Sequence, residues 1–156
     1  MEIMSERDHN DFYENLEFAQ KGEEEVARLL SRKFPDFKTK GFNDDKACDI
    51  VAEVGGKEIT IEVKEDVRTK DTGNVVIECE SRGKPSGIMT TQADFWVFRV
   101  HLEEGIVNYL FKIKDLKQAI RDRRFHNKRQ MPHTDSNNVL YFFRVDTLTE
   151  YSTMKF

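Results

Sequence analysis

The stretch that most limits what this chain can fold into runs from Asp49 to Lys64 and reads D-I-V-A-E-V-G-G-K-E-I-T-I-E-V-K. Gly55-Gly56 tolerates the positive φ angles of a two-residue turn and separates two runs rich in β-branched residues, a pattern that specifies a β-hairpin. Closing the chain about that turn sets Asp49 across from Glu62, Val51 from Thr60 and Glu53 from Glu58. On the opposite face Ile50, Ala52 and Val54 meet Ile61, Ile59 and Lys57. Side chains alternate along a strand, so the apolar face, with Val63, belongs in a core and the other collects the charges.

On the charged face Asp49 and Glu62 stand about 5 Å apart across the strands, a like-charge pair that weakens a bare sheet unless something positive lies between them. A divalent cation is the candidate. Lys64, two residues beyond Glu62 on the same face, is placed to contact whatever that cation holds. The competing interpretation is a solvated hairpin face, where acids and bases are ordinary. Two details weigh against it: an exposed face gains nothing from setting Asp opposite Glu, and the strict alternation of E-I-T-I-E-V-K specifies the register.

The 156 residues suit one domain, and 38% hydrophobic residues with 11% aromatics are enough for a core. No stretch approaches the roughly 20 apolar residues of a membrane span, and no export signal is visible at the N-terminus, so a cytoplasmic protein is expected. Cys48 and Cys79 have no metal-type spacing and read as buried reduced thiols. The net charge of -4 is unevenly spread: residues 1 to 30 hold nine acidic and three basic side chains, so the remainder is weakly basic. That remainder is free to present a basic surface to phosphates.

Residues 11 to 34 predict one helix, with Phe12, Leu16, Ala19, Val26, Ala27, Leu30 and Phe34 at three- and four-residue spacing and Pro35 ending it. Glu23 falls on that apolar stripe, where an acid is unusual; a locally bonded residue at the stripe's edge is the plainer alternative. Residues 36 to 48 read as a connection in which Asp44 and Asp45 are rival acids to Asp49. Strands are expected at 75 to 80, 94 to 101, 106 to 112 and 139 to 145, the second of these central because it is apolar on both sides. Glu78 and Glu80 share a face of the first.

Residues 81 to 86, S-R-G-K-P-S, form a loop opening a short helix to about residue 92. The spacing of a nucleotide-hydrolysing phosphate loop is absent, although Lys84 and Ser86 at a helix start can hold a phosphate. Turn chemistry explains the same Gly and Pro. Residues 114 to 124 predict a helix. The most basic run, R-D-R-R-F-H-N-K-R from 121 to 129, supplies Arg121, Arg123, Arg124, Lys128 and Arg129 as candidate contacts to a nucleic-acid backbone. A solvated helix end, its cations opposing the dipole, is the alternative. His9, His101, His126 and His133 have no ligand spacing, and no nucleophile elbow or Cys-His pair supports acyl transfer.

A helix with an inward Glu, then Asp, then Glu-x-Lys resembles the PD-(D/E)XK restriction-endonuclease-like superfamily, closest in pattern to archaeal-type Holliday-junction resolvases. The matching residues are Glu23-Glu24-Glu25-Val26-Ala27-Arg28-Leu29-Leu30, Asp49-Ile50-Val51-Ala52 and Ile61-Glu62-Val63-Lys64. The likeness covers roughly residues 19 to 66; Cys48 stands where the motif's name has Pro, and nothing from about Ile106 onward matches. It implies an α/β fold, a central mixed β-sheet flanked by helices with an α-β-β-β-α-β core. One nuclease-like domain would span 1 to 156, with its core at about 11 to 101 and a strand-helix-strand extension at about 106 to 145.

The chemistry implied by the resemblance is Mg²⁺-dependent hydrolysis of DNA phosphodiester bonds, Mn²⁺ substituting. Asp49, Glu62 and the main-chain carbonyl of Val63 would be ligands, Glu23 would serve a second metal or its water, and Lys64 would act on the attacking water or the phosphorane. A homodimer is implied by the same likeness. Alternatives are a Holliday-junction resolvase specifically, a non-catalytic nucleic-acid-binding module on the same fold, or an interaction protein whose acidic helix recruits a basic partner.

Overall fold

The computed structural model describes residues 6–42, 48–130 and 138–156, with the side chains of 6–13 and 130 left aside. Asp44, Asp45 and His133, and the side chains of His9 and Phe12, therefore lie outside the described residues. The chain begins with helix α1 (Glu6–Lys33) and continues through strands β1 (Phe37–Phe42), β2 (Ile50–Val54) and β3 (Lys57–Asp66) to the short helix α2 (Thr69–Thr72). Strands β4 (Asn74–Ser81) and β5 (Lys84–Pro85), a 3₁₀ turn at Gly87–Met89, β6 (Phe95–Leu102) and β7 (Gly105–Lys112) follow. Helix α3 (Ile113–Arg121), β8 (Asn127–Gln130), β9 (Val139–Arg144), α4 (Val145–Thr149) and β10 (Met154–Lys155) complete it.

The expected central mixed sheet flanked by helices is present. Its six strands run in the order β1-β2-β3-β6-β7-β10, and β3 pairs parallel with β6 while every other neighbour is antiparallel. A parallel pair needs a long crossover. Here the crossover is not a full helix: it carries α2 and the strands β4 and β5, which join β9 and β8 in a second sheet of order β5-β4-β9-β8.

Two packed layers result. One face of the central sheet presents Ile50, Ala52, Ile61, Val63, Val97 and Leu110 to Val26, Ala27 and Leu30 of α1. The other presents Trp96, Phe98, Val100 and Phe111 to Ile77 and Phe143 of the second sheet and Leu116 of α3. Val26 and Leu30 are 0% and 2% exposed, so each contributes about 1.5–3 kcal/mol toward docking α1. The apolar stripe is fully buried only from Val26 to Leu30, since Leu16 is 45% exposed and Ala19 half-buried.

Five sequence expectations change. Residues 37–42 are a strand, β1, rather than part of a connection; only Phe37 of it is buried, so an edge strand rich in Lys and Thr left no alternating pattern to read. The strand at 74–81 belongs to the second sheet, which makes β1, β2 and β3 the three strands after the first helix. The helix expected to residue 92 shrinks to the 3₁₀ turn. The basic run leaves the helix at Arg121 and enters strand β8, and the strand at 139–144 is followed by α4 and β10 rather than ending the fold.

Candidate active site

The hairpin forms in the register that its turn and alternation dictate. Ile50 pairs with Ile61, Val51 with Thr60, Ala52 with Ile59, Glu53 with Glu58 and Val54 with Lys57, while Gly55 and Gly56 take φ values of 57° and 80°. Asp49 sits just before β2, outside the paired ladder, whose last pair is Ile50 with Ile61; its N–H donates to Ile61 O at 3.0 Å rather than pairing with Glu62. Its carboxylate turns back along the strand, and Oδ2 accepts the Val63 N–H at 2.7 Å. Burial raises the Asp49 pKa above its ordinary value; the Val63 N–H opposes that rise, the charge of Glu62 adds to it, and Lys64 offsets part of it.

Glu62 and Lys64 leave the sheet on the face away from α1, because strand alternation sends Ile61 and Val63 to the helix. Lys64 Nζ lies 3.7 Å from Glu62 Oε1 and 5.7 Å from the centre of the Trp96 ring. Thr91, which sequence reasoning missed, donates its hydroxyl to Glu62 Oε2 at 2.7 Å. That hydroxyl also accepts the Ala93 N–H at 3.2 Å, which commits its single proton to the carboxylate. The segment is pinned beside β3 by Asp94, whose Oδ2 accepts the Thr60 N–H at 2.9 Å and whose own N–H returns to Thr60 O at 3.0 Å. Nothing in M-T-T-Q-A-D points to a carboxylate so far back in the chain.

Beyond Lys64 the face opens into a cleft of about 400 Å³, walled by Lys64, Trp96 and Phe98 of the central sheet, Arg68 of the crossover, and Val76 and Glu78 of the second sheet. The indole N–H of Trp96 is buried without a hydrogen-bond partner. A larger recess of about 830 Å³, lined mostly by apolar side chains such as Leu30, Phe37 and Leu110, lies on the α1 side, away from Glu62 and Lys64.

Glu23 is half-buried on α1, over the opposite face of the sheet from Glu62. Among the described residues no three His, Cys, Asp or Glu side chains gather as a metal-binding group, so Glu23 is not brought into one with Asp49 and Glu62. What the hairpin offers a divalent ion is two carboxylates and the Val63 carbonyl, hard oxygen donors of the kind Mg²⁺ takes with waters completing its shell. Asp49 and Glu62 are near enough for the charge of Glu62 to add to the rise that burial causes in the Asp49 pKa. Glu78 is committed elsewhere, accepting the Ser86 hydroxyl at 3.0 Å.

The face toward α1 carries a second polar group that the sequence did not suggest. Glu65 accepts from Arg99 Nε at 2.7 Å and lies 2.6 Å from His101 Nε2, and Arg99, only 6% exposed, reaches Asn108 Oδ1 at 3.4 Å. Gly22 of α1 sits directly over it; a Cβ there would collide with Glu65 Oε1.

The predicted nucleic-acid contacts are scattered. Lys84 is exposed on β5, while Ser86 is tied to Glu78. Arg121 bonds Gln118, Arg124 bonds Glu150 Oε2 at 2.8 Å, and Arg123, with φ of 54°, turns the chain out of α3. Lys128 and Arg129 are neighbours on β8, and alternation sends them to opposite faces. Cys48 and Cys79 are buried thiols outside any disulfide, and burial pushes Cys79 to about 11.

No protein-family profile and no curated protein matches the chain. Among solved structures, a bacterial homing endonuclease, I-Ssp6803I, is similar to it with a TM-score of 0.44 and 24% identity. The alignment covers 63% of this chain and 66% of that one, so this chain spans just under two thirds of its length. No residue role is transferred from it. No described helix is long and apolar enough to cross a membrane.

Proposed function

We infer that this protein is an endonuclease that hydrolyses DNA phosphodiester bonds, with Asp49, Glu62 and the main-chain carbonyl of Val63 holding Mg²⁺. The observation that supports the reading is the Lys64 ammonium 3.7 Å from Glu62, with the Asp49 carboxylate bonded to the intervening Val63 N–H, at one end of a hairpin beside an open cleft. When bound, the metal supplies positive charge against the phosphate oxygens and acidifies a water.

The protein's own groups do the rest. The Val63 N–H and the Thr91 hydroxyl each hold one carboxylate oxygen, so the donors are oriented before any ion arrives. Lys64, half-exposed toward the cleft, donates to the attacking water or to a non-bridging phosphate oxygen. Its charge opposes the negative charge that grows on the phosphorane. DNA as substrate and a homodimeric state both rest on the resemblance to PD-(D/E)XK nucleases.

The test offers plasmid, linear duplex, single strand and four-way junction side by side with Mg²⁺ or Mn²⁺. Cutting is expected with either ion and not with EDTA, and the junction arm tests the resolvase alternative. Glu62→Ala and Lys64→Ala should each lower the rate by at least about 10²–10³-fold. Full activity in either variant removes the proposed site.

A further inference from the structure

The basic run at 121–129 is not one surface, and the strand register says which part of it faces the site. Along β8 and its partners Lys128 pairs with Tyr141, which pairs with Ile77, and Ile77 is a core residue. Lys128 therefore belongs to the inner face, and its Nζ lies 5.4 Å from the Tyr141 ring centre. Arg129 pairs with Leu140, which pairs with Glu78, on the outer face. Arg129 accordingly stacks at 5.3 Å over Phe142, whose partner across the ladder is Val76.

Val76 and Glu78 are also walls of the cleft that holds Lys64 and Arg68. The outer face of the second sheet thus runs from Arg129 and Phe142 to the walls of the cleft that Lys64 lines. Two acids along the way have partners within the protein: Glu78 takes the Ser86 hydroxyl, and Asp66 takes the Thr69 hydroxyl and the Val76 N–H. Arg68 and Arg129 are both exposed and make no ion pair with an acid among the described residues.

Resting on the nuclease reading above, we propose that the backbone of the DNA substrate follows this outer face, with one phosphate held by Arg129 beside Phe142 and another by Arg68, leading the scissile phosphate to Lys64. Lys128, although adjacent in sequence and equally charged, takes no part. A cation over an aromatic ring is a backbone-and-base binding surface of the sort single strands and duplex ends use.

Binding of a fluorescein-labelled DNA duplex to the full chain, in EDTA so that nothing is cut, is measured by anisotropy against KCl concentration. Removing one phosphate-binding cation should flatten the log–log salt slope by about one. Arg129→Ala and Arg68→Ala are expected to flatten it by that amount and to weaken binding several-fold at low salt. Arg129→Lys, which keeps the charge, should retain the slope, and Lys128→Ala should match the unaltered protein.

Equal losses from Lys128→Ala and Arg129→Ala, or unchanged slopes in both arginine variants, overturn the proposal. The cleavage assay separates the two levels of inference. Metal-dependent cutting alongside unchanged arginine-variant slopes removes the track and leaves the active site standing. Absence of both cutting and salt-dependent binding in the unaltered protein removes the nuclease reading and the track together.

Discussion

Replacing Thr91 by Val removes the hydroxyl that joins the loop after the 3₁₀ turn to Glu62 while keeping nearly the same volume. Two hydrogen bonds disappear, one to a carboxylate at 2.7 Å and one from the Ala93 N–H at 3.2 Å. A bond to a charged acceptor is worth about 1.5–3 kcal/mol and a neutral one about 0.5–1.5 kcal/mol. The Glu62 side chain keeps 23% of its surface in water, which can replace the missing donor, so the lower ends apply and the net cost is about 2 kcal/mol. For a chain of this length that lowers the Tm by about 4–8 °C.

The functional consequence is separable from the structural one. A Glu62 carboxylate no longer held by a donor has to be ordered by the ion itself, and loss of such an outer partner weakens metal affinity by about 10–100-fold. Scanning calorimetry in EDTA reads the first effect, and Mn²⁺ titration of the folded protein by isothermal calorimetry reads the second. Thr91→Ser, which keeps the hydroxyl, should recover metal affinity more fully than stability. A Thr91→Val protein whose Tm falls by less than about 1 °C and whose Mn²⁺ affinity is unchanged refutes the assigned bond and its role.

Two further outcomes follow from the site and its surroundings. Burial, with Glu62 adding to it, raises the folded-state pKa of Asp49, so the native protein binds that proton more tightly than the unfolded chain. Stability should therefore decline as pH rises from the ordinary value of 3.8 through the folded pKa. Asp49→Asn, which can still accept the Val63 N–H, should flatten that decline in metal-free buffer and be at least as stable as the unaltered protein at neutral pH; urea denaturation across the acid-to-neutral range measures it, and a variant that loses equal stability at every pH contradicts it. Gly22→Ala forces Glu65 away from Arg99 and His101 and should cost about 1–3 kcal/mol by overpacking, read as a shifted urea midpoint; an unshifted midpoint would show that α1 does not press on this group.

The hairpin was legible because its determinants are local. A Gly-Gly turn and period-two alternation set which residues pair and which face each takes, independently of the remaining chain. Aiming Glu62 and Lys64 along one face needed nothing more, and the centrality of β6 followed from its apolar character on both sides. Edge strand β1 was invisible for the complementary reason: with one buried side chain it carries no alternation.

What the amino-acid sequence determined by itself, then, is a hairpin of specified register with Glu62 and Lys64 on one face. The tertiary structure decided who their neighbours are. Parallel pairing of β3 with β6 brings Trp96 beside Glu62 and delivers Thr91 to its carboxylate. The docking of α1 covers the opposite face with Val26, Ala27 and Leu30, and the register of β8 against β9 gives Lys128 and Arg129 different surroundings. Each of these depends on which distant segments meet, which short-range periodicity does not encode; it is settled by burying both faces of the central sheet at once.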